Sequence, residues 1–241
     1  MNGDRPEISI CAPAYDEEAC IEEVVRSWLA MLDGAGIAGE VVVADDGSRD
    51  GTRAILARLA AEDARVRVVG EAVNRGYGPA LRSAIAAARG AFVATIDSDG
   101  QFDPADVPRL LAHQRRGGFD LVNGWRRKRD TPARVAADLG LRALVRALFG
   151  VRVHDPNCAL KLMRARWVQE AVREAALEAR GFPTPSEVVI RAQRDGLAIG
   201  ELPVTHRERA GGQTKLRLAR TALDAARFFV ALRIRLGSAS G

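Results

Sequence analysis

The chain has 241 residues, a hydrophobic content of 47% and a formal net charge of +5. This length and apolar content allow one large α/β domain or two small ones, with ample material for a core. The sequence contains no uninterrupted apolar run of about 18 residues and no basic-then-apolar leader, so we expect neither a membrane-spanning helix nor a secretory signal. The positive charge favours an anionic partner such as phosphate, acidic lipid or nucleic acid.

The three cysteines, Cys11, Cys20 and Cys158, are odd in number and widely spaced. Their spacing matches no metal-binding pattern. We therefore expect reduced core thiols in a cytoplasmic protein.

The first half of the chain alternates predicted strands and helices. Strands are predicted at residues 7–12, 40–44, 66–69 and 92–96. Asp16 is the expected N-cap of the first amphipathic helix. The resulting β-α-β-α-β-α-β order predicts an α/β fold with a mainly parallel, Rossmann-like sheet flanked by helices and joined by right-handed crossovers.

The fourth predicted strand runs directly into Asp97-Ser98-Asp99-Gly100-Gln101, and Asp103-Pro104 then predicts the start of a helix. Ligands of open α/β sheets bind at the carboxyl ends of strands, where this acidic segment lies. Two carboxylates and an amide are hard oxygen ligands that suit Mg²⁺ or Mn²⁺ rather than zinc. An isolated D-x-D is more often a solvated turn, but its position after a buried strand favours a metal–diphosphate site.

A second carboxylate pair, Asp45-Asp46, ends the second predicted strand, and Asn74-Arg75-Gly76-Tyr77-Gly78 follows the third. We interpret Asp45 as a loop-orienting hydrogen-bond acceptor. The G-x-G is not a complete dinucleotide fingerprint, and it lies beyond the third strand rather than the first. These features argue against a Rossmann dehydrogenase.

The second half follows a different pattern. A short strand at 121–123 leads into a basic loop at 124–130 and a helix at 132–149. A turn at 155–161 and a helix at 187–194 precede a strand at 198–204 and a glycine-rich basic loop at 209–215. The chain closes with a basic amphipathic helix over 216–236, which would lie in a membrane interface or pack on its own domain or a partner subunit. We predict a catalytic domain over 1–210 and a loop with this helix over 211–241.

Four motifs, in order, resemble family 2 glycosyltransferases of the GT-A fold. They are Pro13-Ala14-Tyr15-Asp16-Glu17-Glu18, Val43 to Thr52 with its D-D-G-S core, Asn74-Arg75-Gly76, and Asp97-Ser98-Asp99-Gly100-Gln101. Two looser matches, Asp155 with Cys158-Ala159-Leu160-Lys161 and Arg209-x-x-Gly212-x-Thr214-Lys215, resemble the dolichyl-phosphate mannose synthases and related polyprenyl-phosphate sugar transferases. The resemblance implies a metal-dependent, inverting hexosyltransferase that uses a GDP- or UDP-sugar and a polyprenyl or dolichyl phosphate.

The resemblance also implies roles for individual residues. Asp46 would hydrogen-bond the base, and because a carboxylate accepts from a pyrimidine or a guanine N–H, both UDP and GDP stay open. The implied metal ligands are Asp97, Asp99 and Gln101. The implied nucleotide contacts are Pro13, Tyr15, Glu17, Asp46, Asp97 and Ser98.

On the acceptor side, an ionised lipid phosphate needs positive charge rather than a strong base. Arg126, Arg134, Arg209 and Lys215 are the candidates for holding it. Asp155 would orient the acceptor or contact the sugar. Asp99, Asp155 and Arg126 make up the candidate catalytic set.

Two departures from the family pattern keep alternatives open. Asp16 replaces a usual asparagine, and Asp138 stands where a phosphate-binding serine is common. A carboxylate would repel an acceptor phosphate, so Asp138 favours another acceptor: a glycan, a small molecule or a protein. A nucleotidyltransferase would use similar chemistry, whereas a nucleic-acid- or lipid-binding protein would leave the acidic motifs unexplained. We expect a cytoplasmic protein with peripheral contact at the cytosolic membrane face.

Overall fold

The computed structural model of the protein describes residues 5–127, 132–207 and 218–238. The strands are β1 (Ile8–Ala14), β2 (Gly39–Asp46), β3 (Val66–Glu71), β4 (Phe92–Thr95), β5 (Leu121–Arg126), β6 (Lys161–Arg164) and β7 (Ile199–Val204). The helices are α1 (Ile21–Gly34), α2 (Thr52–Glu62), α3 (Tyr77–Ala87), α4 (Asp106–Gly117), α5 (Pro132–Phe149), α6 (Ala165–Arg173), α7 (Thr184–Arg194) and α8 (Leu218–Ser238).

Within the described residues the strands form one sheet in the order β3-β2-β1-β4-β6-β5-β7. The β3, β2, β1 and β4 neighbours pair in parallel, which confirms the predicted sheet of the first half. Strand β6 is antiparallel to both β4 and β5, while β7 is parallel to β5. The carboxyl ends of β1, β2, β4, β5 and β7 therefore share one edge with the amino end of β6.

Both faces of the sheet are covered by helices, as the continuous apolar run of β2 predicts. Alternate residues of β1 point to opposite faces: Ile10 belongs to the core under α1, α2 and α4, and Cys11 to the core under α3, α6 and α7. All three cysteines are free and buried, which confirms their predicted role as core thiols.

A third apolar cluster joins the tail helix to the domain. Phe229 and Leu232 of α8 are completely buried against Val145 of α5 and Val189 of α7. The amphipathic tail helix is therefore packed on its own domain along one face. The predicted boundary near residue 210 falls between the described residues and stays a prediction.

Three local predictions were wrong. Helix α1 begins at Ile21, not after Asp16, because Asp16 adopts φ +53° and accepts a hydrogen bond from the Arg49 backbone N–H instead. Helix α4 begins at Asp106, because Pro104 and Ala105 form a turn; Asp103 Oδ1 accepts the Ala105 N–H at 3.0 Å, as an N-cap would, but within this turn before the helix. The predicted basic loop at 124–130 begins as strand, because β5 extends to Arg126 in pairing with β7.

Candidate active site

The acidic loop after β4 presents two carboxylates and turns the residue between them inward. Ser98 is buried and donates its hydroxyl hydrogen to the Pro13 carbonyl oxygen over 2.7 Å. Asp99 Oδ1 accepts the Gln101 backbone N–H at 3.1 Å, and Gly100 turns the chain with φ +75°. The loop geometry thus brings Asp97 and Asp99 together and anchors the Ser98 side chain to the carboxyl end of β1.

The charge of Asp99 affects the ionisation of Asp97. Burial, followed by the charge of Asp99, raises the pKa of Asp97 to about 7. The Tyr77 hydroxyl donates to Asp97 Oδ1 at 2.9 Å, and burial together with the charge of Asp97 raises the pKa of Tyr77 well above its usual value. A bound cation would relieve this repulsion between the carboxylates.

The available ligands suit a hard divalent ion. In the described ranges, no three or more histidine, cysteine, aspartate or glutamate side chains are placed to hold a metal ion together. The acidic loop offers a pair of carboxylates instead. Mg²⁺ is commonly bound by one or two carboxylates, with water and substrate phosphates completing its shell. Asp97 and Asp99, with the amide oxygen of Gln101, fit that pattern.

A short segment after β7, Thr205–Arg207, runs antiparallel to the acidic loop. Arg207 N–H donates to the Gln101 carbonyl oxygen at 2.7 Å, and Gln101 Nε2 donates back to the Arg207 carbonyl oxygen at 2.9 Å. The rings of Phe102 and His206 meet edge to face with centroids 4.9 Å apart. Gln101 is thereby tied to the residues that lead into the 208–217 segment.

The loops after β1 and β2 are joined by backbone-to-side-chain hydrogen bonds. Asp16 N–H donates to Ser48 Oγ at 3.1 Å, and Arg49 N–H donates to Asp16 Oδ1 at 2.8 Å. Glu17 N–H donates to Thr52 Oγ1 at 2.8 Å. These bonds fix the turn that carries Tyr15 and Glu17, which follows Pro13 and the end of β1, at the same edge of the sheet as the acidic loop.

The two aspartates at the end of β2 anchor different loops. Asp45 accepts from Ser48 N–H at 3.0 Å and from Arg53 Nε at 2.6 Å, which confirms its predicted loop-orienting role. Asp46, only 3% exposed, accepts from Arg75 N–H at 2.7 Å and Gly76 N–H at 2.8 Å. Its predicted contact with a base stays a prediction; the observed bonds show that it orders the loop after β3.

On the other side of the acidic loop, Arg126 and Asp155 form a buried ion pair. Arg126 Nε donates to Asp155 Oδ2 at 2.7 Å, and a second guanidinium nitrogen donates to Oδ1 at 3.1 Å. Burial alone would lower the pKa of Arg126, but the hydrogen bonds and charge of Asp155 raise it above its usual value. The charge of Arg126 partly offsets the rise in the pKa of Asp97, and both residues lie at the same edge of the sheet.

Lys161 is a site residue to which we had assigned no role. It is 1% exposed, and its ammonium group donates to Asn123 Oδ1 and, at 3.1 Å, to the Pro156 carbonyl oxygen. Burial lowers the pKa of Lys161 to about 8. The sequence signal for a buried lysine was its position within the apolar run Ala159 to Met163. This run alone does not predict a strand, because β6 has only four residues and forms by pairing with β4 and β5.

The remaining predicted residues are described in part or not at all. Arg134 and Asp138 lie in α5, and the structure describes the side chain of Asp138, which is half-buried, but not that of Arg134. Arg209 and Lys215 lie outside the described residues. The residues brought to one edge are Pro13, Tyr15, Glu17, Asp46, Asp97, Ser98, Asp99, Gln101, Arg126 and Asp155.

The fold and this edge define a class of protein. The family model described as Glycosyl transferase family 2 matches residues 9–150, more than half of the chain. The chain therefore belongs to glycosyl transferase family 2. The match covers the β1–β4 half with all four predicted motifs and continues through β5 and α5.

Particular relatives sharpen this assignment. The chain is 30% identical over 218 residues to dodecaprenyl-phosphate galacturonate synthase of Rhizobium johnstonii, covering 89% of this chain and 63% of that protein. It is 34% identical over 211 residues to undecaprenyl-phosphate 4-deoxy-4-formamido-L-arabinose transferase of Shewanella sediminis, covering 86% and 61%. The chain thus spans less than two thirds of the length of either relative.

A solved structure supports the predicted fold. Glucosyl-3-phosphoglycerate synthase from Mycobacterium tuberculosis, in complex with Mn²⁺, UDP and glucosyl-3-phosphoglycerate, superimposes with a TM-score of 0.69 at 26% identity. The superposition covers 95% of this chain and 80% of that one. The predicted GT-A fold is confirmed.

Proposed function

We propose that this protein is a metal-dependent, inverting glycosyltransferase that moves a sugar from a nucleoside-diphosphate sugar to a polyprenyl phosphate. The observation that carries the proposal is the Asp97–Asp99 pair at the shared edge of the sheet, beside the Arg126–Asp155 ion pair. The first pair suits a metal-bound diphosphate, and the second places the Arg126 guanidinium, held in orientation by Asp155, at the same edge of the sheet. The names of the relatives, which specify dodecaprenyl and undecaprenyl phosphate, support a lipid-phosphate acceptor.

The donor side needs a divalent cation held by Asp97, Asp99 and Gln101. When bound, Mg²⁺ or Mn²⁺ would neutralise the negative charge that builds on the leaving nucleoside diphosphate. The Mn²⁺ and UDP in the solved M. tuberculosis structure support this assignment and favour UDP over GDP as the first donor to test. Asp46, Tyr15 and Glu17 would position the nucleotide.

The acceptor side needs charge and orientation. An acceptor phosphate is ionised at neutral pH and can attack the anomeric carbon without a general base. Arg126 would hold that phosphate near the anionic donor, and attack opposite the leaving diphosphate would invert the anomeric carbon. Asp155 is buried and accepts two hydrogen bonds from Arg126, so we assign it the orientation of Arg126 rather than proton removal.

A second candidate is the same donor chemistry on a small phosphorylated acceptor. The observation in its favour is that the M. tuberculosis synthase was also solved in complex with phosphoglyceric acid. Both candidates use the same Asp97–Asp99 site and differ only in the acceptor.

Contact with a membrane would be made through α8. Among the described helices, none combines the length and hydrophobicity needed to cross a bilayer. One face of α8 packs on the domain, but Leu223, Val230 and Ile234 are 51%, 48% and 67% exposed. Arg227 and Arg233 are also exposed on α8, so this helix suits peripheral binding to an anionic membrane surface at the cytosolic side.

The experiment that tests the function is a donor and acceptor screen. Purified protein with Mn²⁺ or Mg²⁺ would be given UDP- and GDP-sugars, with and without a short polyprenyl phosphate or phosphoglyceric acid, and nucleoside diphosphate release measured. We expect release that requires the lipid phosphate and is lost in Asp99→Ala. Release that requires phosphoglyceric acid instead would establish the second candidate, and no response to any donor would reject both.

Membrane contact can be tested separately by flotation with liposomes containing anionic lipid. Deleting α8 would uncover Phe229 and Leu232, so the informative variant replaces only the exposed residues, Val230→Ser with Ile234→Ser. We expect this variant to lose liposome binding and keep nucleotide binding. Ala222→Ser, an exposed position elsewhere on α8, is the matched control. Wild-type flotation by the double variant would contradict the proposal.

A further inference from the structure

Tyr77, the first residue of α3, is joined to the acidic loop through its side chain. Its hydroxyl donates to Asp97 Oδ1 at 2.9 Å. The ring packs against the core under α3, α6 and α7. Among the described residues, Tyr77 is the only hydrogen-bond donor to the Asp97 carboxylate, and Asp97 Oδ2 accepts no hydrogen bond. The orientation of this carboxylate therefore depends on the position of one phenol.

The backbone that carries Tyr77 is held on its amino side by the end of β2. Asp46 accepts the backbone N–H groups of Arg75 and Gly76 at 2.7 and 2.8 Å. Gly76 adopts φ +101°, a conformation that residues with a side chain rarely adopt, and so sets the direction in which α3 begins. The position of the Tyr77 ring is thus fixed from a buried carboxylate of a neighbouring strand.

The same backbone is held on its carboxyl side by the turn before α7. Gly78 N–H donates to the Arg180 carbonyl oxygen at 2.9 Å. The contact is so close that a Cβ at Gly78 would lie 1.9 Å from the Ala179 carbonyl oxygen. Because the residues on both sides are fixed, the backbone of Tyr77 has little freedom to move its hydroxyl away from Asp97.

The carboxylate that accepts this hydrogen bond has a reason to turn away from its neighbour. Asp97 and Asp99 carry like charges, which favours side-chain orientations that separate them. Asp99 Oδ1 accepts the Gln101 backbone N–H at 3.1 Å, which restrains that carboxylate from within the loop. The Tyr77 hydroxyl restrains Asp97 Oδ1 in the same way and leaves Asp97 Oδ2 available for a cation.

We propose that Tyr77 is a positioning residue that fixes the Asp97 carboxylate for binding of a divalent cation. This inference rests on the proposed function and adds a residue to its metal site. The hydrogen-bond partner of a metal ligand orients that ligand, and its loss typically weakens metal binding by about tenfold to a hundredfold. Phenylalanine would fill the same part of the core, so the hydroxyl serves the orientation of Asp97 rather than packing.

The test is a titration of the full chain with Mn²⁺ followed by EPR, performed without nucleotide and with saturating UDP or GDP. We expect Tyr77→Phe to bind Mn²⁺ about tenfold or more weakly than the wild type. The EPR spectrum of the bound Mn²⁺ should also change, because Asp97 no longer has a fixed orientation. The urea midpoint without metal should stay close to that of the wild type, since the ring is kept.

Trp167→Phe is the matched control. It also removes an aromatic donor to a carboxylate, because Trp167 Nε1 donates to Asp195 Oδ2 at 2.8 Å, and Trp167 packs against the same core. Trp167 lies on α6, which follows β6 at the opposite edge of the sheet. This variant should keep the wild-type affinity for Mn²⁺ and the wild-type EPR spectrum.

Unchanged or tighter Mn²⁺ binding by Tyr77→Phe would overturn the proposal. Weaker binding together with an equal loss in Trp167→Phe, or with a marked fall in the urea midpoint, would overturn it as well, since Tyr77 would then serve the fold. Failure of the wild type to bind Mn²⁺, with or without either nucleotide, would reject the metal-dependent function together with this role. Wild-type binding that survives Tyr77→Phe rejects this role alone.

Discussion

Asp46 and Asp155 are both carboxylates with 3% exposure at the same edge of the sheet, but their charges are balanced in different ways. Asp46 accepts two backbone N–H groups from the loop after β3. Asp155 is paired with the guanidinium group of Arg126, from a strand 29 residues away in sequence. The donor side of the site is thus ordered by backbone hydrogen bonds, and the acceptor side by buried charged side chains.

This difference determines how each side responds to substitution. A carboxylate that binds backbone N–H groups can be replaced by an amide with the loss of part of its hydrogen bonding. A buried ion pair leaves an uncompensated charge when either partner is removed. The acceptor side should therefore be the more sensitive to single substitutions and to pH.

The largest effect is expected for Asp155→Ala. It leaves the Arg126 guanidinium partly buried without its partner, and loss of one member of such a pair costs about 3 kcal/mol of unfolding free energy or more. Urea denaturation would measure the loss. Combining Asp155→Leu with Arg126→Met should recover part of it, since both charges are then absent. A loss below about 1 kcal/mol in Asp155→Ala would show that the ion pair does not order the acceptor side.

Lys161 should make stability depend on pH at alkaline values. Burial lowers its pKa from 10.5 to about 8. Above pH 10.5 the lysine is neutral in both the folded and the unfolded protein. As the pH falls from 10.5 towards 8, only the unfolded protein takes up a proton, and this lowers the free energy of the unfolded state relative to the folded state. Stability should therefore rise between pH 8 and 10.5, by on the order of 3 kcal/mol relative to Lys161→Met. Parallel pH profiles of the two proteins in urea denaturation would contradict this expectation.

Asp46→Asn should have a smaller effect, confined to the donor side. The amide can accept from only one of the Arg75 and Gly76 N–H groups, and losing a charge-assisted hydrogen bond costs about 1.5–3 kcal/mol. Hydrogen exchange should accelerate at these two amides. The Gly78 amide, which donates to Arg180, is the internal control. Unchanged exchange at Arg75 and Gly76 would mean that Asp46 does not order the loop.

The smallest effect is expected for Glu22→Gln, at the surface between α1 and α2. Glu22 pairs with Arg26 at 3.1 Å and with Arg58 at 2.6 Å, and these side chains are 41–50% exposed. Solvent screens such pairs, so the urea midpoint should stay within experimental error of the wild type. A clear shift of the midpoint would show that surface ion pairs stabilise the fold as much as the Arg126–Asp155 pair does. The sensitivity expected of the acceptor side would then not be specific to its buried charges.

Much of the donor side could be predicted from sequence because its elements are local. Each motif follows directly after its own strand, and parallel strands bring their carboxyl ends to one edge, so Pro13, Asp46, Asp97 and Asp99 converge without knowledge of the register. The fold class followed from the same strand–helix alternation, and the core thiols from the odd number and wide spacing of the cysteines. Helix starts were less predictable, since the Asp16 carboxylate binds the Arg49 N–H of another loop and a turn separates Asp103 from the start of α4.

Only the tertiary structure decided the acceptor side. Strand β6 has four residues and no β-branched side chain, and it is a strand because β4 and β5 supply its hydrogen bonds. The burial of Lys161 and the pairing of Arg126 with Asp155 both depend on residues distant in sequence. Local propensity carries no information on such contacts, because their stability depends on neighbours that the fold alone brings together.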